Sequence, residues 1–181
     1  VQVMAPNPYR CELGLDAEQS ARMALRNTEA IIKWEGPDSI AAMILDPIPG
    51  SNVGYPVPPD FYLPELKALC DRHGILTIYD EIQVGMGKTG RMFCCEHWDV
   101  TPDIMVVAKG FSGGYLPLGA AVATEAIAET FHELGGFRHV HTYAGHATAC
   151  AAALANIEII RQEGLVRRSA ELGAYLETRL R

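Results

Sequence analysis

Ile104-Met105-Val106-Val107-Ala108-Lys109-Gly110 is the stretch that decides the fold: five apolar residues in a row, stopped by a charge and a glycine. A short continuous apolar run closed by a turn signal reads as a strand buried on both faces, the kind that builds parallel sheets. Ile75-Leu76-Thr77-Ile78-Tyr79, closed by Asp80-Glu81, repeats the pattern, and Ile40 to Leu45, closed by Asp46-Pro47, is a shorter version. Leu118 to Thr124 reads as a fourth strand. Helical patterns lie among them. Asp16, with Gln19 three residues on, resembles a capping box and opens a helix to about Trp34. Leu63, Leu66, Leu69 and Cys70 recur at helical spacing, and Gly74 supplies the stop. Ala147 to Gln162 is an alanine-rich helix, and Leu165 begins another. Pro47, Pro49, Gly50, Gly54, Pro56, Pro58 and Pro59 make the segment between irregular. Apolar strands alternating with helices predict an α/β fold, a mostly parallel sheet with helices on both faces.

Composition narrows the function. The 181 residues suffice for one sizeable core, and 49% are hydrophobic, as in an ordinary globular protein. A net charge of −7 and the lack of a basic stripe argue against a nucleic-acid partner. Five cysteines, two of them adjacent at Cys94-Cys95, suggest neither a disulfide framework nor a zinc spacing, and reduced thiols fit the cytoplasm. No apolar run is long enough to cross a bilayer, and no leader pattern precedes the first polar segment. Val1 is not a methionine and Arg181 falls inside a helical pattern, so both ends read as cuts. Residues 1–164 read as part of one large domain, and 165–181 as the start of a helix leading to a further, truncated domain.

In open α/β sheets the ligand crevice lies outside the carboxyl ends of the strands. Two of the best strands end in a charged residue, Asp80 and Lys109. From spacing alone a lysine past a strand is more often a solvated loop residue, and Asp80 serves equally well as a cap for the loop that follows. The setting favours chemistry. Gly110, Gly113 and Gly114 permit tight turns and close approach of a ligand, and a low-dielectric strand end can lower a lysine's pKa enough to free its amine. A carboxylate at a strand end would hold a buried cationic nitrogen in its protonated form. That pair meets both needs of a pyridoxal enzyme, a Schiff-base amine and a partner for the ring nitrogen. Gly87-Lys88-Thr89 is no phosphate loop, because Ile82 stands where the motif needs glycine. His139, His141 and His146 have no carboxylate or cysteine at ligand spacing, so no metal is expected.

Tyr79-Asp80-Glu81-Ile82-Gln83-Val84-Gly85-Met86-Gly87-Lys88-Thr89-Gly90 is similar to the D-E-V-Q-T-G-x-G-R-T-G run of class III (omega-amino acid) aminotransferases. Glu96-His97, Val100-Thr101-Pro102-Asp103-Ile104, Ala108-Lys109-Gly110-Phe111-Ser112-Gly113-Gly114-Tyr115-Leu116-Pro117-Leu118-Gly119-Ala120 and His141-Thr142-Tyr143-Ala144-Gly145-His146 follow in the family's order. The resemblance runs from Asn7-Pro8-Tyr9-Arg10 onward and covers essentially the whole chain. It implies the large domain of fold-type I pyridoxal-phosphate enzymes, here partial. It also implies a transaminase moving an amino group from a primary amine or omega-amino acid to a 2-oxo acid. Pyridoxal 5'-phosphate would be held by Asp80 at the ring nitrogen, Gln83 near the phenolic oxygen and Lys109 as the Schiff base. Thr142 would bind the phosphate of a neighbouring subunit's cofactor, so the whole enzyme would be a homodimer. Without the resemblance, Gln83 is a solvated loop amide and Thr142 a turn hydroxyl.

Two departures bear on substrate. Relatives that use 2-oxoglutarate carry E-P-x-Q-G-E-G-G, whose second glutamate gates a carboxylate-gripping arginine. Here the run is Asp46-Pro47-Ile48-Pro49-Gly50-Ser51-Asn52-Val53-Gly54, and Ser51 at the gate favours pyruvate- or glyoxylate-like acceptors. The family's phosphate turn, ring-stacking aromatic and C-terminal arginine fall outside these residues, so the 181 residues alone are expected not to transaminate. A diaminopelargonate-type aminotransferase, a semialdehyde aminomutase and a catalytically silent dimerisation module stay open as alternatives.

Overall fold

The computed structural model describes all of Val1–Arg181. The chain divides into two compact units, Val1–Tyr79 with Cys95–Pro102, and Asp80–Cys94 with Asp103–Arg181.

In the first unit, helix α1 (Ala17–Glu35) opens on the expected capping box: the Asp16 carboxylate accepts the Gln19 N–H and the Gln19 side chain accepts the Asp16 N–H. These two bonds satisfy donors that a helix start leaves orphaned. Ala21, Ala24, Thr28 and Ile32, spaced three or four apart, form its buried face. Helix α2 (Tyr62–Arg72) presents Leu66, Leu69 and Cys70 inward. Ile32, Leu69, Cys70 and Ile75 close one apolar cluster, with Ile40 and Met43 packed against it. Burying each such aliphatic side chain is worth about 1.5–3 kcal/mol, which ties both helices to the strands beside them. Strands β1 (Ala42–Leu45) and β2 (Leu76–Asp80) pair in parallel, Ala42 opposite Leu76 and Leu45 opposite Tyr79.

In the second unit, β3 (Ile104–Val107) pairs antiparallel with β4 (Ala120–Ala123), Ile104 opposite Ala123 and Val107 opposite Ala120. Helices α3 (Glu125–Glu133), α4 (Ala147–Gln162) and α5 (Leu165–Leu180) follow. The four strands form one sheet in the order β1-β2-β3-β4. It is mostly parallel, as the apolar runs predict, with β4 the antiparallel member. No helix is long and apolar enough to cross a membrane.

The sequence reading differs from the structure in degree of burial. Ile44 in β1 is 66% exposed and Leu76 in β2 is 38% exposed, so neither strand is covered along its whole length. An apolar run records that a strand can be buried, not that a second layer covers both faces. Trp34 is 92% exposed on the last turn of α1, whereas Trp98 is buried. Helix α3 and the short 3-10 turns at Pro37–Ser39, Ser51–Val53 and Cys94–Trp98 were not anticipated.

Candidate active site

Asp80 is the last residue of β2 and is half-buried. One carboxylate oxygen accepts the Ile82 N–H at 2.9 Å, the local turn that the capping alternative describes, while the carboxylate forms no ion pair. The chain then turns sharply. Glu81, only 1% exposed, donates its N–H to Val106 O (2.9 Å) in β3, which sets the start of the loop beside the end of that strand. Its own carboxylate accepts the Cys94 N–H at 2.8 Å, and its carbonyl accepts the Gly85 N–H at 2.8 Å. A Cβ at Gly85 would sit 2.8 Å from that carbonyl, so only glycine fits there. Glu81 thus fastens both ends of the loop that carries Gln83, which is half-buried in a run of turns. Sequence reasoning gave Glu81 no role. Its signal was two acids in succession at a strand end, where only one can face a ligand.

Lys109 follows β3 by a single residue and opens a 3-10 turn, Lys109–Ser112. Its φ is +47°, in the left-handed region that costs a side-chain-bearing residue about 1–3 kcal/mol. Its side chain is exposed and makes no ion pair, leaving the amine available. Gly113 and Gly114, at φ +63° and +78°, carry the chain on through conformations that suit glycine. A Cβ at Gly110 would stand 3.1 Å from Met86 Cβ, so the lysine turn lies directly against the loop that follows Asp80. From α4, the Asn156 side chain donates to the Gly110 and Phe111 carbonyls, a contact that sequence reasoning missed because a lone amide in an alanine-rich helix has no periodic signature.

Asp80, Gln83 and Lys109 therefore lie on two touching turns at strand ends. Thr142 is in the exposed turn before α4 and forms no hydrogen bond to the other three. The His139 and His141 rings meet edge to face, 4.6 Å between centroids, on the neighbouring surface. The donor set suits pyridoxal phosphate: a free primary amine for the aldehyde, and a carboxylate with no cationic partner for the ring nitrogen.

The aminotransferase class-III profile matches residues 2–181. This chain belongs to the class III aminotransferases. It is 48% identical over 139 residues to a putrescine aminotransferase of Pectobacterium atrosepticum, covering 77% of this chain and 29% of that protein. It is 42% identical over 169 residues to an adenosylmethionine-8-amino-7-oxononanoate aminotransferase of Nitratidesulfovibrio vulgaris, covering 90% of this chain and 31% of that one. Among solved structures, an amine transaminase from an uncultivated Pseudomonas species in its PLP-bound form superposes with a TM-score of 0.90 at 40% identity. That match covers 96% of this chain and 40% of the other. The class III family is pyridoxal-phosphate-dependent, and this member spans 29% and 31% of the length of the two curated relatives.

Proposed function

We propose that this chain is the lysine-bearing part of a pyridoxal-phosphate-dependent transaminase that moves an amino group from a primary amine to a pyruvate- or glyoxylate-like 2-oxo acid. The observation that carries the reading is Lys109: an unpaired, exposed amine on strained backbone one residue past a strand, on a turn in contact with the loop that follows Asp80.

When bound, the cofactor supplies an aldehyde that captures amines and a ring that accepts electron density from the carbon losing its proton. Lys109 would hold it through its amine and, with that amine free, would take the proton from the carbon that bears the amino group. Asp80 keeps the ring nitrogen protonated by placing a negative charge beside it. Gln83 orients the ring from the phenolic side. Thr142 serves a phosphate across a homodimer. Residues 1–164 belong to the cofactor-holding domain, and 165–181, which carry α5, begin the helix that leads to a smaller domain of the whole protein, which works in the cytoplasm.

Ser51 sits in an exposed 3-10 turn where 2-oxoglutarate-using relatives carry a gating glutamate, which supports the smaller acceptor. The 48% identity to a putrescine aminotransferase supports a diamine as donor. A diaminopelargonate-type reaction is the second reading, favoured by the 42% identity to the oxononanoate enzyme.

The test is to add pyridoxal phosphate to the purified protein and follow Schiff-base absorption in wild type, Lys109→Ala and Asp80→Asn. Wild type should develop the band, Lys109→Ala should develop it far more slowly and weakly, and Asp80→Asn should hold the cofactor less tightly. An equal band in Lys109→Ala would remove the lysine from its role. In the whole protein, pyruvate should out-compete 2-oxoglutarate as acceptor, and the reverse order would overturn the assignment based on Ser51.

A further inference from the structure

We infer that Asn156 is the positioning residue of the lysine turn: from helix α4 its side-chain amide holds the Lys109–Ser112 turn in the conformation that presents the Lys109 amine. The inference rests on the reading of Lys109 as the amine that condenses with pyridoxal phosphate.

The Asn156 Nδ2 group donates to Gly110 O at 2.8 Å and to Phe111 O at 3.2 Å. Gly110 O also accepts the Gly113 N–H at 3.2 Å, so the amide reinforces the bond that closes the turn. On its other side, Asn156 Oδ1 would lie 2.8 Å from a Cβ at residue 113, and the fit depends on Gly113 having none. One side chain therefore touches residues 110, 111 and 113, all within four positions of the lysine.

A left-handed lysine persists only where its surroundings over-determine it. The turn's own bonds join near neighbours: Phe111 N–H to Ala108 O at 3.0 Å and Gly114 N–H to Lys109 O at 3.2 Å. Such short 3-10 turns are weakly held by themselves. Asn156 is different in kind, being 46 residues away in sequence and mounted on a 16-residue helix. Asparagine is a poorer helix former than the alanines at 151, 152, 153 and 155, and the two bonds to the turn offset that local disadvantage.

The experiment uses this 181-residue protein as wild type, Asn156→Leu and Asn156→Asp. Asn156→Leu removes the donors at similar size, and Asn156→Asp keeps the shape while turning an acceptor towards two carbonyls. Each is treated with pyridoxal phosphate, reduced with borohydride and mapped for label at its four lysines, Lys33, Lys67, Lys88 and Lys109. Amide hydrogen exchange is read over the Lys109 turn and over α4. Wild type should label Lys109 faster than Lys33 or Lys88. Both variants should lose roughly tenfold of that preference and exchange the turn roughly tenfold faster, with α4 still protected. If wild type shows no preference for Lys109, the reading of the lysine fails and takes this inference with it. If wild type prefers Lys109 but either variant keeps both the preference and the slow exchange of the turn, Asn156 alone is overturned. Faster exchange of α4 equal to that of the turn in both variants would make Asn156 a helix-packing residue and overturn its positioning role.

Discussion

Lys109 combines two properties, an exposed amine without an ion-pair partner and a backbone conformation that any residue with a Cβ resists. Replacing it separates them. Lys109→Ala removes the amine and keeps the strain, whereas Lys109→Gly removes both. The glycine variant should therefore be more stable than the alanine variant by roughly 1 kcal/mol, less the extra freedom that glycine has when unfolded. Chemical denaturation of the two side by side measures this, and an alanine variant at least as stable as the glycine one would show that the turn stores no strain at residue 109. The sequence marks this position through the strand that ends beside it and the glycines that follow it. The sign of φ at the lysine has no such mark. The bonds of Glu81 and Asn156 reach 13 and 46 residues along the chain and leave no periodic trace, so only the doubled acid at the strand end hints at Glu81 and nothing hints at Asn156.

At the scale of elements, α5 is seated on the loop that carries Gln83. Ser169 Oγ donates to Lys88 O at 3.0 Å, and a Cβ at Gly90, where φ is +88°, would come within 2.8 Å of Ala170 Cβ and 3.0 Å of its Cα. The obstructing atoms belong to a helix backbone and cannot swing away. Gly90→Ala should cost about 1–3 kcal/mol, measured by denaturant unfolding, and wild-type stability would contradict this packing. In the first unit, Tyr79 in β2 buries a hydroxyl with no hydrogen-bond partner, and burial pushes its pKa up. Burial also pushes the Tyr62 hydroxyl of α2 up to about 12. A raised folded pKa means the unfolded state loses its proton first. The stability from these neutral tyrosines is thus whole below pH 10, the ordinary tyrosine value, and is lost as pH rises towards about 12. Tyr79→Phe should match or exceed wild type at neutral pH and lose less stability across that alkaline range. A variant clearly weaker at pH 7 would mean the hydroxyl has a partner after all.

For the whole molecule, the helices and strands were readable because capping, apolar period and glycine stops each carry a local signal. Asp16 with Gln19 fixed the start of α1, and the alanine-rich run fixed α4 to the residue. Coverage of the strands was not readable, since Ile44 is as apolar as Val107 and yet only Val107 is buried. Helix α3 escaped because its short pattern, Glu125–Glu133, gives only two turns in which to establish a period. Family membership, by contrast, followed from several motifs in register, and residues 2–181 match the class III profile. We propose that Lys109 and Asp80 together receive one pyridoxal ring. The most direct test is a crystal structure of the protein with added pyridoxal phosphate. Density should run continuously from Lys109 Nζ into the cofactor, with the Asp80 carboxylate facing the ring nitrogen. Cofactor joined to Lys33, Lys67 or Lys88, or a ring nitrogen turned away from Asp80, would contradict it.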